Sequence, residues 1–396
     1  ALAGAVGIFA WRSGRLGGDS TVSTSNKVAV LPFKNISGDT SQDYFSDGLS
    51  EELRSTLARN LKLQVMAQTS SAKFRDHTED AVTIASRLGV GYLLDGTVRK
   101  SGEIARITAD LIDGHTGFSR WSQSFDRSLH DIFAVQSEIA HTVASALTAE
   151  MIPDPNVSAG SAGALAAEGG TRSAQAFDAY LRGRALYDLS ADEASERAAL
   201  AQFDLAIAAD PDYAPAHAAR ARSLTAIANQ YGKAGQLQEL YESAIESARR
   251  AIEIAPGLAD AYSTLGFTLF QGKLDARGAR EPFERSKELG AGEATVLARY
   301  AQYSARVGRS QDAAAAIQRA LLLDKLNPLI HRAAGAIEYA ARDYRASIPP
   351  TRQALQMNPR MSRAHAAIGD ALFMLGRHDE ARTEYLAEPA SDFGLT

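Results

Sequence analysis

Residues 310–325 read Ser-Gln-Asp-Ala-Ala-Ala-Ala-Ile-Gln-Arg-Ala-Leu-Leu-Leu-Asp-Lys. Ala320 in this run is one rung of a ladder. Ala206, Ala251, Ser286, Ala320 and Ala354 recur at intervals of 45, 35, 34 and 34 residues, and Ala199, Ala244, Ala279, Ala313 and Ser347 each stand seven residues earlier. Five residues after each rung the helix is expected to end, at Pro211, Pro256, Ala291, Lys325 and Pro359. A period near 34 predicts stacked helix-turn-helix pairs. The small residues mark places where two antiparallel helices cross closely, because axes about 8–10 Å apart leave little room for side chains at the crossing. Proline then stops the second helix of a pair.

Working outward, the repeats begin near Ala174 and fill the chain to its end. The first helices carry their own small residue at Gly183, Ala221, Gly266, Ala301, Gly335 and Gly369, which makes about six pairs over 174–396. The second pair holds eleven extra residues, placed near Gly232–Gly235. Two departures stand out. Gly290-Ala291 and Lys325 replace the terminal proline, and Pro349-Pro350 falls inside a second helix, where it is expected to distort or shorten it. The pattern resembles the tetratricopeptide repeat. Stacked pairs curve into a superhelix whose concave face is lined by first helices. In that register the groove positions include Arg222, Phe270, Gln302, Arg306, Arg332, Tyr339 and Asp370, and they are the candidate contacts for a protein or peptide partner.

Upstream lies a different pattern. Lys27 to Phe33 reads as a buried strand closed by Pro32. Residues 43–60 follow with Phe45, Leu49, Leu53 and Leu57 at helical spacing. A short strand is expected over 63–68, a helix around Val82–Leu88 stopped at Gly89, and strands over 92–99, 104–112 and 118–125. A helix over 132–147 closes the unit. The order β-α-β-α-β-β-β-α predicts a mixed sheet covered by helices over 27–150. The whole is therefore an α/β (α+β) mixed-sheet domain followed by an all-α tetratricopeptide-repeat superhelix. Residues 151–173, with two prolines and many small residues, read as a linker that lets the two parts move unless they share an interface.

Four runs in the first part carry a more specific resemblance: Val28-Ala29-Val30-Leu31-Pro32-Phe33, Tyr44 to Leu53, Leu88 to Val98, and Asp131-Ile132-Phe133-Ala134-Val135-Gln136. They look like the domain similar to the N-terminal domain of TolB. What the resemblance implies is an accessory module, usually extracytoplasmic, of a membrane-anchored bacterial signalling protein. In such proteins a winged-helix DNA-binding domain or a class III adenylate cyclase domain precedes a single membrane helix. The resemblance supplies no catalytic residue.

Composition narrows the chemistry. Net charge is −5, so no global field favours nucleic acid, and none is expected as a partner of these residues. The absence of cysteine excludes disulfides, thiolate metal sites and a cysteine nucleophile. The eight histidines are scattered, with no HExxH and no zinc spacing, so no metal or cofactor is expected. Asp43, Asp47, Glu51 and Glu52 could pair as an acid–base site, but without a histidine or ligand partner they read as acidic residues in the first turns of a helix. Gly48 among them marks close packing or a kink. The reading is of a non-enzymatic interaction and sensing module, with cyclase regulation or a periplasmic assembly scaffold as alternatives. The apolar start, Ala1 to Trp11, followed by Arg12 and Arg15, reads as the end of a membrane segment, although a span needs about 20 residues. The expectation is a single-pass inner-membrane protein with residues 27–396 periplasmic, tethered by residues 17–26.

Overall fold

The computed structural model describes residues 26–128 except 59, 61–62, 77 and 102–103, the helical residues 138, 139, 142 and 143, and residues 169–388 except 190–191, 360 and 362. The first part is built on a sheet of strands β1 (Lys27–Val30), β2 (Lys34–Asn35), β3 (Gln64–Val65), β4 (Tyr92–Ser101), β5 (Ile104–Asp113) and β6 (Ser119–Ser128). Its order is β3-β1-β4-β5-β6, with β2 beside β4. β1 runs parallel to both neighbours, and β4, β5 and β6 form an antiparallel meander. Helix α1 (Asp43–Ala58) covers one face through Phe45, Leu49, Leu53 and Leu57, all buried. On β5, Ala105, Ile107, Ala109 and Leu111 alternate inward. The other face is covered by α2 (Gln68–Ser71) and α3 (Ala81–Leu88), whose Ile84, Ala85 and Leu88 pack on Ala29, Leu31 and Leu93. Gly89 ends α3 in the left-handed conformation, φ 68°. Of the closing helix expected over 132–147, Ile139 and Val143 are buried in the core, and the remainder lies outside the described residues except Glu138 and Thr142.

Among the described residues, twelve helices follow as six pairs. They are α4 (Ala174–Leu189) with α5 (Glu193–Ala209), α6 (Ala214–Tyr231) with α7 (Leu237–Ile254), and α8 (Ala259–Phe267) with α9 (Arg280–Leu289). Then come α10 (Ala294–Arg306) with α11 (Ser310–Leu323), α12 (Pro328–Ala340) with α13 (Tyr344–Met357), and α14 (Ala364–Met374) with α15 (His378–Ala387). Every rung of both ladders is buried. The glycines of the first helices face their partner helix: a Cβ on Gly183 would meet Phe203 at 2.6 Å, and one on Gly369 would meet Tyr385 at 2.6 Å. The mixed sheet followed by helical repeats is therefore the observed architecture.

Several expectations are corrected. The eleven extra residues of the second pair do not all lie near Gly232–Gly235. They lengthen α6 and α7 to 18 residues each, against 13 and 14 in α10 and α11. Pro349 and Pro350 do not shorten α13, which keeps 14 residues. Pro349 lies on the exposed face of that helix. The strand over 63–68 shrinks to two residues, because the Ala67 N–H donates to the Leu323 carbonyl at 2.8 Å instead of to a sheet neighbour.

The two parts share a core. Val28, Leu49, Leu53 and Phe125 belong to one buried cluster with Phe177, Tyr180, Leu181 and Phe203. Gly48 marks close packing, since a Cβ there would lie 2.4 Å from Leu181 Cδ2 of α4.

The single-pass inner-membrane placement is also corrected. No helix among the described residues is long and apolar enough to cross a membrane. Of the longest repeat helices, α6 carries Arg220 and Arg222 at its middle, and α7 carries charged side chains along its length. The segment ending near Trp11 lies outside the described residues.

Gly335 tests the packing rule. A Cβ there would stand 2.1 Å from Thr351 Oγ1 and 2.8 Å from the Ser347 carbonyl oxygen, whereas Gly235 has nothing within 4 Å. Gly335→Ala should lower the urea-denaturation stability by about 1–3 kcal/mol. Gly235→Ala should change it by less than about 1 kcal/mol. Equal midpoints for the two variants would refute close helix crossing as the reason for the ladder.

Candidate functional site

Two polar regions stand out, one closed by the chain itself and one open. The closed region lies where the sheet domain meets the repeats. Arg54 on α1 makes a two-pronged contact with Glu51, Nε to Oε2 at 2.7 Å and Nη2 to Oε1 at 2.8 Å. Arg184 on α4 reaches Glu52 at 3.4 Å, Glu51 at 3.5 Å and the side-chain oxygen of Gln68 at 3.5 Å. Asp47 is paired with Arg75, and the Tyr44 hydroxyl donates to Asp178 on α4. Burial alone would raise the Glu51 carboxyl, but the Arg54 and Arg184 guanidiniums outweigh it and hold the group below its ordinary value. The acidic run 43–52 is thus a docking face for arginines of the same chain.

The second contact of the sheet domain is with the turn between α11 and α12. The Ser70 hydroxyl donates to Asp324 Oδ1 at 2.6 Å and accepts from the Leu326 N–H at 3.0 Å. Leu326 packs on the Ala29–Leu31 face of the sheet, and Lys325 Nζ approaches the end of α3 at Gly89. The turn between α9 and α10 joins them, with Gly292 against the Ala58 carbonyl. The turns that depart from the repeat pattern, at 290–292 and 324–326, are the turns that touch the sheet domain.

The open region lies beyond these contacts. A groove of about 450 Å³ runs across the first helices α10, α12 and α14. It brings together five of the seven expected groove residues: Gln302, Arg306, Arg332, Tyr339 and Asp370. Phe270 is a neighbour of that set, edge-on to Tyr303 at 5.2 Å and 5.9 Å from the Arg306 guanidinium. Arg222 does not belong to it. Its guanidinium donates to Asp260 at 3.1 Å and lies over the Tyr187 ring at 5.0 Å, so it is spent joining α4, α6 and α8. The repeat register places Arg222 on a first helix but cannot show what it faces.

Arg363, in the turn before α14, was not legible as a groove residue, because it precedes the helix and holds φ 63°. It lines the groove beside Leu329 and the methyl groups of Ala333, Ala336 and Ala367. Arg332 is half-buried, and its pKa is lowered first by burial and then by Arg363. Asp370 accepts from the Tyr385 hydroxyl at 2.8 Å, and Tyr339 meets Tyr344 edge-on at 5.1 Å.

With this geometry in hand, the likenesses to known proteins are as follows. Residues 23–142 match a family model described as "HilA/YgeH-like transcriptional regulator, second domain". The resemblance expected in that part was to the TolB N-terminal-like module, and the matching model is that of the regulator domain. A relative from Rhizobium meliloti (strain 1021), named "Putative adenylate cyclase 3", is 34% identical over 244 residues. The match takes in 61% of this chain and 40% of the relative, so the chain spans well under two thirds of that protein. Among solved structures, TTC0263, a thermophilic TPR protein of Thermus thermophilus, is 19% identical, with 50% of this chain and 99% of that one covered at a TM-score of 0.41. A human IFIT1 dimer with m7Gppp-AAAA is 16% identical, with 65% and 58% covered at a TM-score of 0.45.

The closed region predicts a pH response. The folded pKa of Glu51 is depressed, so its contribution to stability is present above the ordinary glutamate range and is lost as pH falls through the folded value. Glu51→Gln should cost about 3 kcal/mol at neutral pH, because Arg54 and Arg184 lose a buried partner, and should flatten the acid limb of a denaturation-versus-pH curve. An unchanged acid limb would contradict that assignment.

Proposed function

We propose that the chain is a non-enzymatic protein-interaction and regulatory module. A partner segment binds in the groove of α10, α12 and α14, and the sheet domain serves as the platform that holds the repeats. The observation that carries this reading is the open groove, where five residues chosen from repeat register alone converge around a floor of alanine methyls. The charged groups at the sheet-domain contact, Asp47, Glu51, Glu52, Arg54 and Arg184, are paired within the chain, whereas Arg306, Arg332 and Arg363 in the groove have no carboxylate partner among the described residues.

Two findings support a regulatory role. Residues 23–142 are similar to a transcriptional-regulator domain, and a relative at 34% identity bears the name of a cyclase. Our reading is that the module answers to a partner and biases an effector domain of the same polypeptide. A winged-helix DNA-binding domain is the first reading for that effector, and it rests on the regulator likeness and on the TolB N-terminal-like runs at 28–33, 44–53 and 88–98. A class III cyclase domain is the second, favoured by the named relative. The coding sequence upstream of Ala1 separates them: a winged-helix pattern supports the first, and paired metal-binding aspartates support the second.

The groove itself is tested by displaying random peptides to the purified chain and recovering binders. Replacing Gln302 and Tyr339 together by alanine should weaken recovered peptides by about tenfold or more. Glu242→Ala, in a separate surface groove by α7 lined by other residues, should leave them unchanged. Binding that survives the groove substitution would sink the proposal.

A further inference from the structure

Arginines over most of this protein are matched by carboxylates. Arg106 meets Asp126, Arg120 meets Asp113, Arg220 meets Asp204, Arg250 meets Asp212, and Arg377 meets Glu380. Others, Arg249, Arg319 and Arg345 among them, have no carboxylate partner among the described residues, and the groove gathers three such guanidiniums into one cleft. Arg306, Arg332 and Arg363 all line it, and among the described residues no carboxylate pairs with any of the three guanidiniums. Arg332 is half-buried with Arg363 as its charged neighbour. Two guanidiniums brought together in a partly desolvated cleft repel each other, and a positive cleft of this kind is relieved by an anion placed between them. Asp370, on the helix that Arg363 precedes, accepts from the Tyr385 hydroxyl and makes no ion pair with any of the three.

We infer that the groove takes an acidic segment of a partner protein, whose carboxylates pair with Arg306, Arg332 and Arg363 while aliphatic side chains lie on the alanine floor. This rests on the reading of the groove as the partner site and adds the chemistry of the partner. Charge complementarity names the carboxylates, since guanidinium and carboxylate match as paired forks. The rest of the lining names a polypeptide over a nucleic-acid strand. The floor is methyl groups and the exposed Leu329, which suit aliphatic side chains. A phosphodiester chain requires a track of cations along its length, and here Asp370 stands in the wall of a chain with net charge −5.

The test uses the whole chain and three fluorescent probes: a short peptide of glutamate and leucine, the same peptide with glutamine for glutamate, and a DNA strand of similar length. Anisotropy titration should show the glutamate peptide binding about tenfold or more tightly than its glutamine counterpart, with affinity falling as salt rises. Arg332→Gln and Arg363→Gln should each weaken it by about tenfold. Arg332→Gln should leave the Tm unchanged or raise it, because no ion pair within the chain is lost. Arg363→Gln, in an exposed turn, gives an independent reading if Arg332→Gln alters folding.

Equal affinity for the two peptides, wild-type binding by both arginine variants, or tighter binding of the DNA strand would each overturn the acidic-segment inference. Failure of this inference alone is recognised if displayed peptides still depend on Gln302 and Tyr339. If they do not depend on the groove at all, the partner-site reading falls with it.

Discussion

The Ser70–Asp324 contact spans 254 positions of chain, and the arrangement of the two parts depends on it together with the α1–α4 packing. A repeat array alone makes contacts only between adjacent pairs, so its curvature is the sum of many small, independent choices. Here the sheet domain touches α4 in the first pair, the turn at 290–292 after the third pair and the turn at 323–326 after the fourth. A chord fixed at both ends limits how far the intervening pairs can open. The groove of α10, α12 and α14 lies at and beyond the last of these contacts, where the concave surface is left to solvent.

Apolar burial and buried charge divide the work at that junction. Leu49, Leu53 and Leu181 are buried almost completely, and each such side chain contributes about 2 kcal/mol relative to exposure. The Glu51–Arg54–Arg184 group adds less than its Coulomb attraction suggests, since all three charges are taken from water. Its weight lies in geometry. A two-pronged guanidinium–carboxylate contact tolerates one orientation, whereas leucines on alanines tolerate several. The apolar contacts hold the domains together, and the ion network selects one docking among those they would permit.

Local periodicity carried the fold. The ladder at 206, 251, 286, 320 and 354 located every second helix except the last, which Ala381 marks at 34 residues after Ser347 of the companion ladder, because close crossing leaves its mark in each repeat. The i, i+4 stripe of Phe45, Leu49, Leu53 and Leu57 located α1 for the same reason. What periodicity could not show was any feature whose cause lies far away in sequence. Lys325 in place of proline read as a defect of the repeat, and its cause is a sheet domain that begins almost three hundred residues earlier. The acidic run at 43–52 read as a helix start because Arg184 is more than a hundred residues off. Arg222 and Arg332 both lie on first helices. Only the structure shows that Asp260 and Tyr187 occupy the first and that no carboxylate among the described residues meets the second.

The docking turn also connects to the groove through a short run of hydrogen bonds. Asp324, which receives Ser70, accepts from Asn327 Nδ2 at 2.7 Å, and Asn327 Oδ1 accepts from the Leu329 N–H at 2.9 Å, capping α12. Leu329, Arg332 and Tyr339 on that helix are all groove residues. A helix start is fixed by its cap, and this cap is fixed by a carboxylate that the sheet domain engages directly. The helix at the centre of the groove is therefore oriented from the domain contact outward. The pKa of Asp324 is raised by its burial, and the hydrogen bonds from Ser70 and Asn327 counter that burial in part. The groove's geometry and the docking of the sheet domain thus rest on the same few polar atoms, which is how a partner on one surface and a domain on another come to share a single structural element.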